Sequence, residues 1–145
     1  MNDDEKQLQF QHWLVDMDDA LERFLADVPD TIATKLDYTS TSLDVLESWL
    51  LGSYESVEAM LEPDQSARID GAARYVGETF RRELGGQWAL RLGDPSKVFY
   101  GLPELTGFRM RTPLCPLTLV TASADRRTGN YLRSVLDAYA KHVRS

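Results

Sequence analysis

Two histidines, one cysteine and a knot of aspartates are the side chains of this chain best suited to chemistry. His12 and His142 lie near opposite ends. Imidazole is the usual general acid–base, so a site using both requires the first and last helices to meet. Solvated or partly packed rings are the simpler reading. Cys115 sits in Pro113-Leu114-Cys115-Pro116. A nucleophilic thiolate needs a base and an electropositive setting. Arg109 and Arg111 stand near it in sequence, but no base does, and Cys115 reads as a small apolar filler. Asp16, Asp18 and Asp19 resemble a cation site on paper. Neighbours on a helix point in different directions, however, and a calcium loop needs a glycine turn and a terminal Glu. A solvated face or a protein-binding acidic patch suits them better. Metal-ligand spacings such as CxxC and HExxH do not occur. Gly85-Gly86 follows a helix, whereas a phosphate-binding turn precedes one. The sequence therefore predicts no enzyme active site, no metal and no cofactor.

The densest local pattern is Ala73-Arg74-Tyr75-Val76-Gly77-Glu78-Thr79-Phe80, followed by Gly85-Gly86-Gln87-Trp88. Glycine inside a helix costs about 1 kcal/mol relative to Ala. That cost is accepted where another chain segment must approach closely, so Gly77 marks a tight junction. Glu78 adjoins that contact and is expected to be partly buried against an arginine. Glu78, Trp88 and Tyr100 form a candidate small-ligand site; a purely structural junction between helix and sheet is the alternative. The same residues, written Y-x-G-E-x-[LF]-x4-G-G-x-W, resemble a pattern of small, uncharacterised bacterial α+β proteins. Some of these are immunity-like proteins from toxin–antitoxin neighbourhoods. Leu36-Asp37-Tyr38-Thr39, leading to Leu43, Leu46 and Trp49-Leu50, is similar to that group as well. The resemblance spans about a third of the chain. It implies a fold more than a function and transfers no catalytic residue.

The elements that must position these residues follow from periodicity. Phe10, Leu14, Met17, Leu21, Phe24 and Val28 recur at three- and four-residue spacing, which predicts a helix over about 4–27. It ends where Pro29 pushes Val28 out of the α region. Ile32, Thr34, Leu36 and Tyr38 alternate weakly and predict a short edge strand over 31–38. A helix over about 42–51 follows, capped by hydroxyls of Thr39 to Ser42 and ended by Gly52. Residues 53–62 predict a further helical turn. A longer helix over about 65–84 ends at Gly85-Gly86. The period then changes to two: Trp88, Leu90 and Leu92 predict one strand of a hairpin over 87–101, with 97–101 as its partner. Residues 106–111 suggest a third strand. Residues 117–124 fit strand by their branched side chains and helix by Pro116 at a first helical position. A last helix is expected over about 129–143. Helices first, a hairpin later and a helix last predict an α+β domain, with helices packed on a small antiparallel sheet.

Length and charge bound the function. At 145 residues the chain suits one domain, 1–145, able to bury a core without disulfides. One cysteine suits a reducing compartment. The acidic start Asn2-Asp3-Asp4-Glu5 is unlike a signal peptide, so a cytoplasmic location is expected. No apolar run approaches the ~20 residues of a membrane span. The net charge of −7 is unevenly distributed: residues 1–64 hold 16 Asp/Glu and 3 Lys/Arg, and residues 65–145 hold 7 and 13. Part of this is expected to be complementary packing between the halves. Residual acidity repels nucleic acid and anionic membrane and attracts basic protein surfaces. The sequence thus predicts a non-enzymatic binding protein for a basic protein partner, with Asp16, Asp19 and Glu22 on an exposed helix face as its contact.

Overall fold

A computed structural model describes residues 2–108 and 112–144. The first helical region forms as two helices, α1 (Asp3–Val15) and α2 (Met17–Asp27), separated at Asp16. Its buried stripe runs through Phe10, Met17, Ala20, Leu21 and Phe24, while Leu14 is only partly covered. The predicted edge strand does not form: its first residues belong to a short helix, α3 (Asp30–Ala33), and turns carry the chain on to Tyr38. The Pro29 carbonyl accepts from the amides of Ile32 and Ala33. That satisfies locally the groups a strand would offer to a neighbour. Leu36 still reaches the core.

Helix α4 spans Ser40–Ser53 and starts at Thr39, whose hydroxyl accepts from the Ser42 amide. It runs past Gly52 and is capped by Tyr54. After α5 (Val57–Met60) and a 3-10 turn (Pro63–Gln65) comes α6 (Ser66–Leu84). Every residue from Gly71 to Gly77 is buried, so the middle of α6 is covered on all sides, as in a central helix. It packs against α2, α4, and two later helices, α7 (Pro116–Arg126) and α8 (Tyr131–Arg144). Its small residues set the approach distances. A Cβ on Gly71 would lie 2.6 Å from the Phe24 ring, and one on Gly77 would lie 2.1 Å from Trp88 Cη2.

The fold is α+β. Among the described residues the sheet has two antiparallel strands, β1 (Gln87–Leu90) and β2 (Pro103–Thr106), with Trp88 opposite Leu105. The first strand falls where period-two spacing placed it, and its partner lies beyond the 97–101 segment predicted. Asp94 accounts for the shift. Its carboxylate accepts from the Ser96 amide at 3.0 Å and hydroxyl at 2.7 Å. Successive turns follow: Lys97 to Asp94, Tyr100 to Lys97 and Leu102 to Phe99. The backbone of 97–102 is thus engaged in turns, apart from a bond from the Gly101 amide to Arg91. Pro103, which has no amide to donate, takes the first position of β2, where proline is tolerated. Of the suggested third strand over 106–111, Thr106 ends β2, and residues 109–111 lie outside the described residues. Leu114 instead bridges Leu105 with two backbone bonds. Residues 117–124 are helical, with Pro116 opening α7.

Candidate functional site

The Gly77 junction opens into a cleft. Because Gly77 lacks a side chain, Trp88 of β1 lies directly on α6. The Trp88 indole N–H donates to Glu78 at 2.9 Å, and Arg81 holds the same carboxylate at 2.9 Å. Glu78 is thus partly buried against an arginine, as its position predicts. Trp13 of α1 meets Trp88 edge to face, with centroids 4.8 Å apart. Its own N–H donates to Asp70 at 2.8 Å. Arg74 is buried beside them. It donates to Asp70 at 2.7 Å and to the Trp13 carbonyl at 2.8 Å, and its guanidinium lies 4.2 Å from the Trp13 ring centre. A buried cation is tolerable only when it is paired in this way, and these contacts fix Trp13 at the mouth of the cleft.

The cleft has a volume of about 230 Å³. The two tryptophans, Met60, Ile69, Pro103 and Leu117 give it apolar walls, and Glu62 and Asp70 stand at its margin. Leu61, 61% exposed, forms part of its rim. That rim belongs to an unusual stretch: residues 36–67 contain seven Asp/Glu and no Lys or Arg. Within it Glu58, Glu62 and Asp64 are exposed, and Glu62 lines the cleft beside Leu61.

The predicted ligand residues separate. Glu78 and Trp88 are hydrogen-bonded, but of the three only Trp88 lines this cleft. Its hydroxyl bonds to Asp3, and Lys6 stands over its ring at 5.4 Å. That hydrogen bond to the Asp3 carboxylate pushes the Tyr100 phenol up. Of the predicted acidic face, Asp19 and Glu22 are exposed on α2. Asp16 is 2.6 Å from Arg23, whose hydrogen bond holds its carboxyl below the usual range. The face therefore mixes charges. His12 and His142 are exposed on α1 and α8. Cys115 is 1% exposed, and burial pushes its thiol up, away from the thiolate.

Sequence reasoning missed Trp13, Asp70 and Arg74. The signal was present in part. Asp70 and Arg74 have ion-pair spacing on one helix, and Trp13, partly buried, lies three residues after Phe10 and four before Met17, in line with the buried stripe. What joins them spans 57 and 61 positions of chain. Among the described residues, no helix is long and apolar enough to cross a membrane. The chain matches no known family, no curated protein and no solved structure.

Proposed function

We propose that this is a non-enzymatic binding protein that takes a basic protein partner at the Trp13–Trp88 cleft, in the manner of an immunity protein or similar accessory factor. One observation carries the reading: an open apolar cleft with an exposed leucine on its rim, set in a stretch of 32 residues, 36–67, that has no cation. Binding energy concentrates where an anchor side chain fills a desolvated pocket, with tryptophan prominent among such positions. Surrounding carboxylates steer a cationic partner and raise the association rate. The cleft thus replaces the α2 face as the centre of contact, with Asp19 and Glu22 at most peripheral.

The test uses a partner recovered with the tagged protein from its native cell. Leu61→Asp, and separately Glu58, Glu62 and Asp64 all changed to Lys, should each weaken binding by about tenfold or more, given that central anchors and close charges dominate such interfaces. Asp19→Lys with Glu22→Lys should leave affinity within about threefold, as peripheral charges mainly alter association rate. Full affinity in both cleft variants, with their folds intact, would overturn the reading. The cleft also supports a second reading, a small apolar ligand, because pockets of this character hold such molecules. A thermal-shift screen with small aromatic amines favours it if Leu61-independent stabilisation appears and Ala73→Leu removes it.

A further inference from the structure

We propose that α1 is a hinged strap that pivots at Asp16, and that its release joins the cleft to the hollow on the far side of Trp13 as one open groove. The inference starts from the interruption of the helix at Asp16. Abrupt helix breaks usually have a local cause: Pro, Gly or Ser, or a group inserted into the ladder. Between Asn2 and Val28 there is no Pro, Gly, Ser or Thr, and the three- and four-residue apolar spacing continues through Asp16. The backbone nearly continues too. The Asp16 amide bonds to His12 at 3.0 Å, and the Asp16 carbonyl accepts from Ala20 at 2.8 Å. The sequence thus favours one helix over 3–27, and tertiary contacts impose the break. Arg74 is the clearest of these. It takes the Trp13 carbonyl, the acceptor a continuous helix offers to the Met17 amide.

The contacts holding α1 down are few and largely polar. Among the described residues Phe10 is its one buried side chain, whereas Leu8 is 57% and Val15 86% exposed. Asp3 accepts from the Gly93 amide at 3.0 Å and bonds the Tyr100 hydroxyl. Lys6 lies over Tyr100, and Trp13 is held by Asp70, Arg74 and Trp88. Segments with few buried apolar contacts open at lower free energy than the core. The consequence of opening is set by Trp13. Together with Asp70 and Pro103 it lines both the 230 Å³ cleft and a neighbouring hollow of about 310 Å³. Of these three shared residues Trp13 is the one that α1 carries, so lifting α1 about Asp16 withdraws it from between the two hollows.

The role of this pivot in admitting a partner rests on the proposed function; the pivot itself does not, and it is tested without a partner. Spin labels at Gln11→Cys and Ser48→Cys, both exposed sites, report the separation of α1 from α4 by pulsed dipolar EPR. Buried Cys115 stays unlabelled. A minor, longer distance is expected beside the main one. Asp16→Ala should raise the ratio of the longer to the shorter by about two- to threefold, from the better helix propensity of Ala. Asp3→Asn with Tyr100→Phe should raise it as well by cutting the far tether. Hydrogen exchange should show α1 amides opening before those of α6 in the wild-type protein. A single distance unchanged in both variants, with α1 exchanging only by global unfolding, would overturn the pivot. Full partner affinity in both cleft variants would overturn the cleft as the site and leave the pivot standing.

Discussion

Gly77 shows how one missing side chain organises a site. Its Cα side is occupied by the Trp88 ring, with Pro116 also close, and an added Cβ would lie 2.1 Å from the indole. Gly77→Leu should therefore destabilise the protein by about 1–3 kcal/mol through overpacking. Urea melts read the change, and an unchanged midpoint would mean that the indole swings clear at no cost. Tyr75 carries a different kind of test. Its hydroxyl, inside the core, accepts from the Tyr38 amide at 2.9 Å and shares a bond with Ser42 at 2.7 Å. Burial pushes its phenol up, as it does those of Tyr38 and Tyr139. Unfolded phenols release their protons near the ordinary value of about 10, before the folded ones. The stabilising contribution is therefore full below that pH and is lost as pH rises through the higher folded values. Urea midpoints should fall between neutral and strongly alkaline pH, and Tyr75→Phe should flatten part of that fall. An unaltered alkaline slope in Tyr75→Phe would assign the loss to the other phenols.

At the scale of elements, caps and turns outrank propensity. Asp94 draws the loop after β1 into turns and so moves the returning strand to 103–106. Pro29 does the same for α3. The join between α4 and α8 depends on a buried carboxylate: Glu47, fully covered, accepts from the amides of Tyr131 and Leu132 at 3.1 and 2.8 Å. These are free first-turn donors of α8, which need an acceptor when buried. Glu47→Ala should cost about 1–3 kcal/mol, the range for leaving buried donors unsatisfied. The loss should appear as faster hydrogen exchange at the start of α8, with Glu47→Gln recovering part of it through one amide oxygen. Equal exchange in Glu47→Ala and wild type would mean that solvent caps this end unaided.

Across the whole molecule, α6 is the axis, and charge divides the chain around it. Part of the asymmetry between the halves is resolved internally, as expected. Arg68 pairs with Asp27, Arg133 with Asp44, and Arg127 donates to the carbonyls of Leu51, Tyr54 and Glu55. The exposed acidic group of Glu58, Glu62 and Asp64 has no cation in its own stretch of chain. Its field reaches about 10 Å at 0.1 M salt. Association with a basic partner should therefore slow as salt rises, and the slope should shrink when these three residues become Lys. Stopped-flow association rates at low and high salt decide it; an equal slope in both proteins would remove electrostatic steering from this acidic group.

The helices were legible because their cause is local. The stripes of α4 and α6 can be read from three- and four-residue spacing, and Gly85-Gly86 marks where that period stops. Gly77 and Glu78 were legible for a related reason: a glycine on an apolar helix face announces a neighbour, although not which one. Tertiary structure decided what pairs with what. Leu105 and Leu114, nine positions apart, bridge each other, and no local pattern records that bridge. The helix is interrupted at Asp16 although the apolar spacing runs through it, and Arg74, from a helix far along the chain, takes a carbonyl the first helix would otherwise use itself. The cleft follows from the same cause. Its walls come from α1, α5, α6, α7 and both strands, and apolar side chains carry no directional mark of which others they will meet. Hydrophobic burial selects a face by period, whereas the partner of that face is chosen by shape and by the few buried polar groups that must be satisfied.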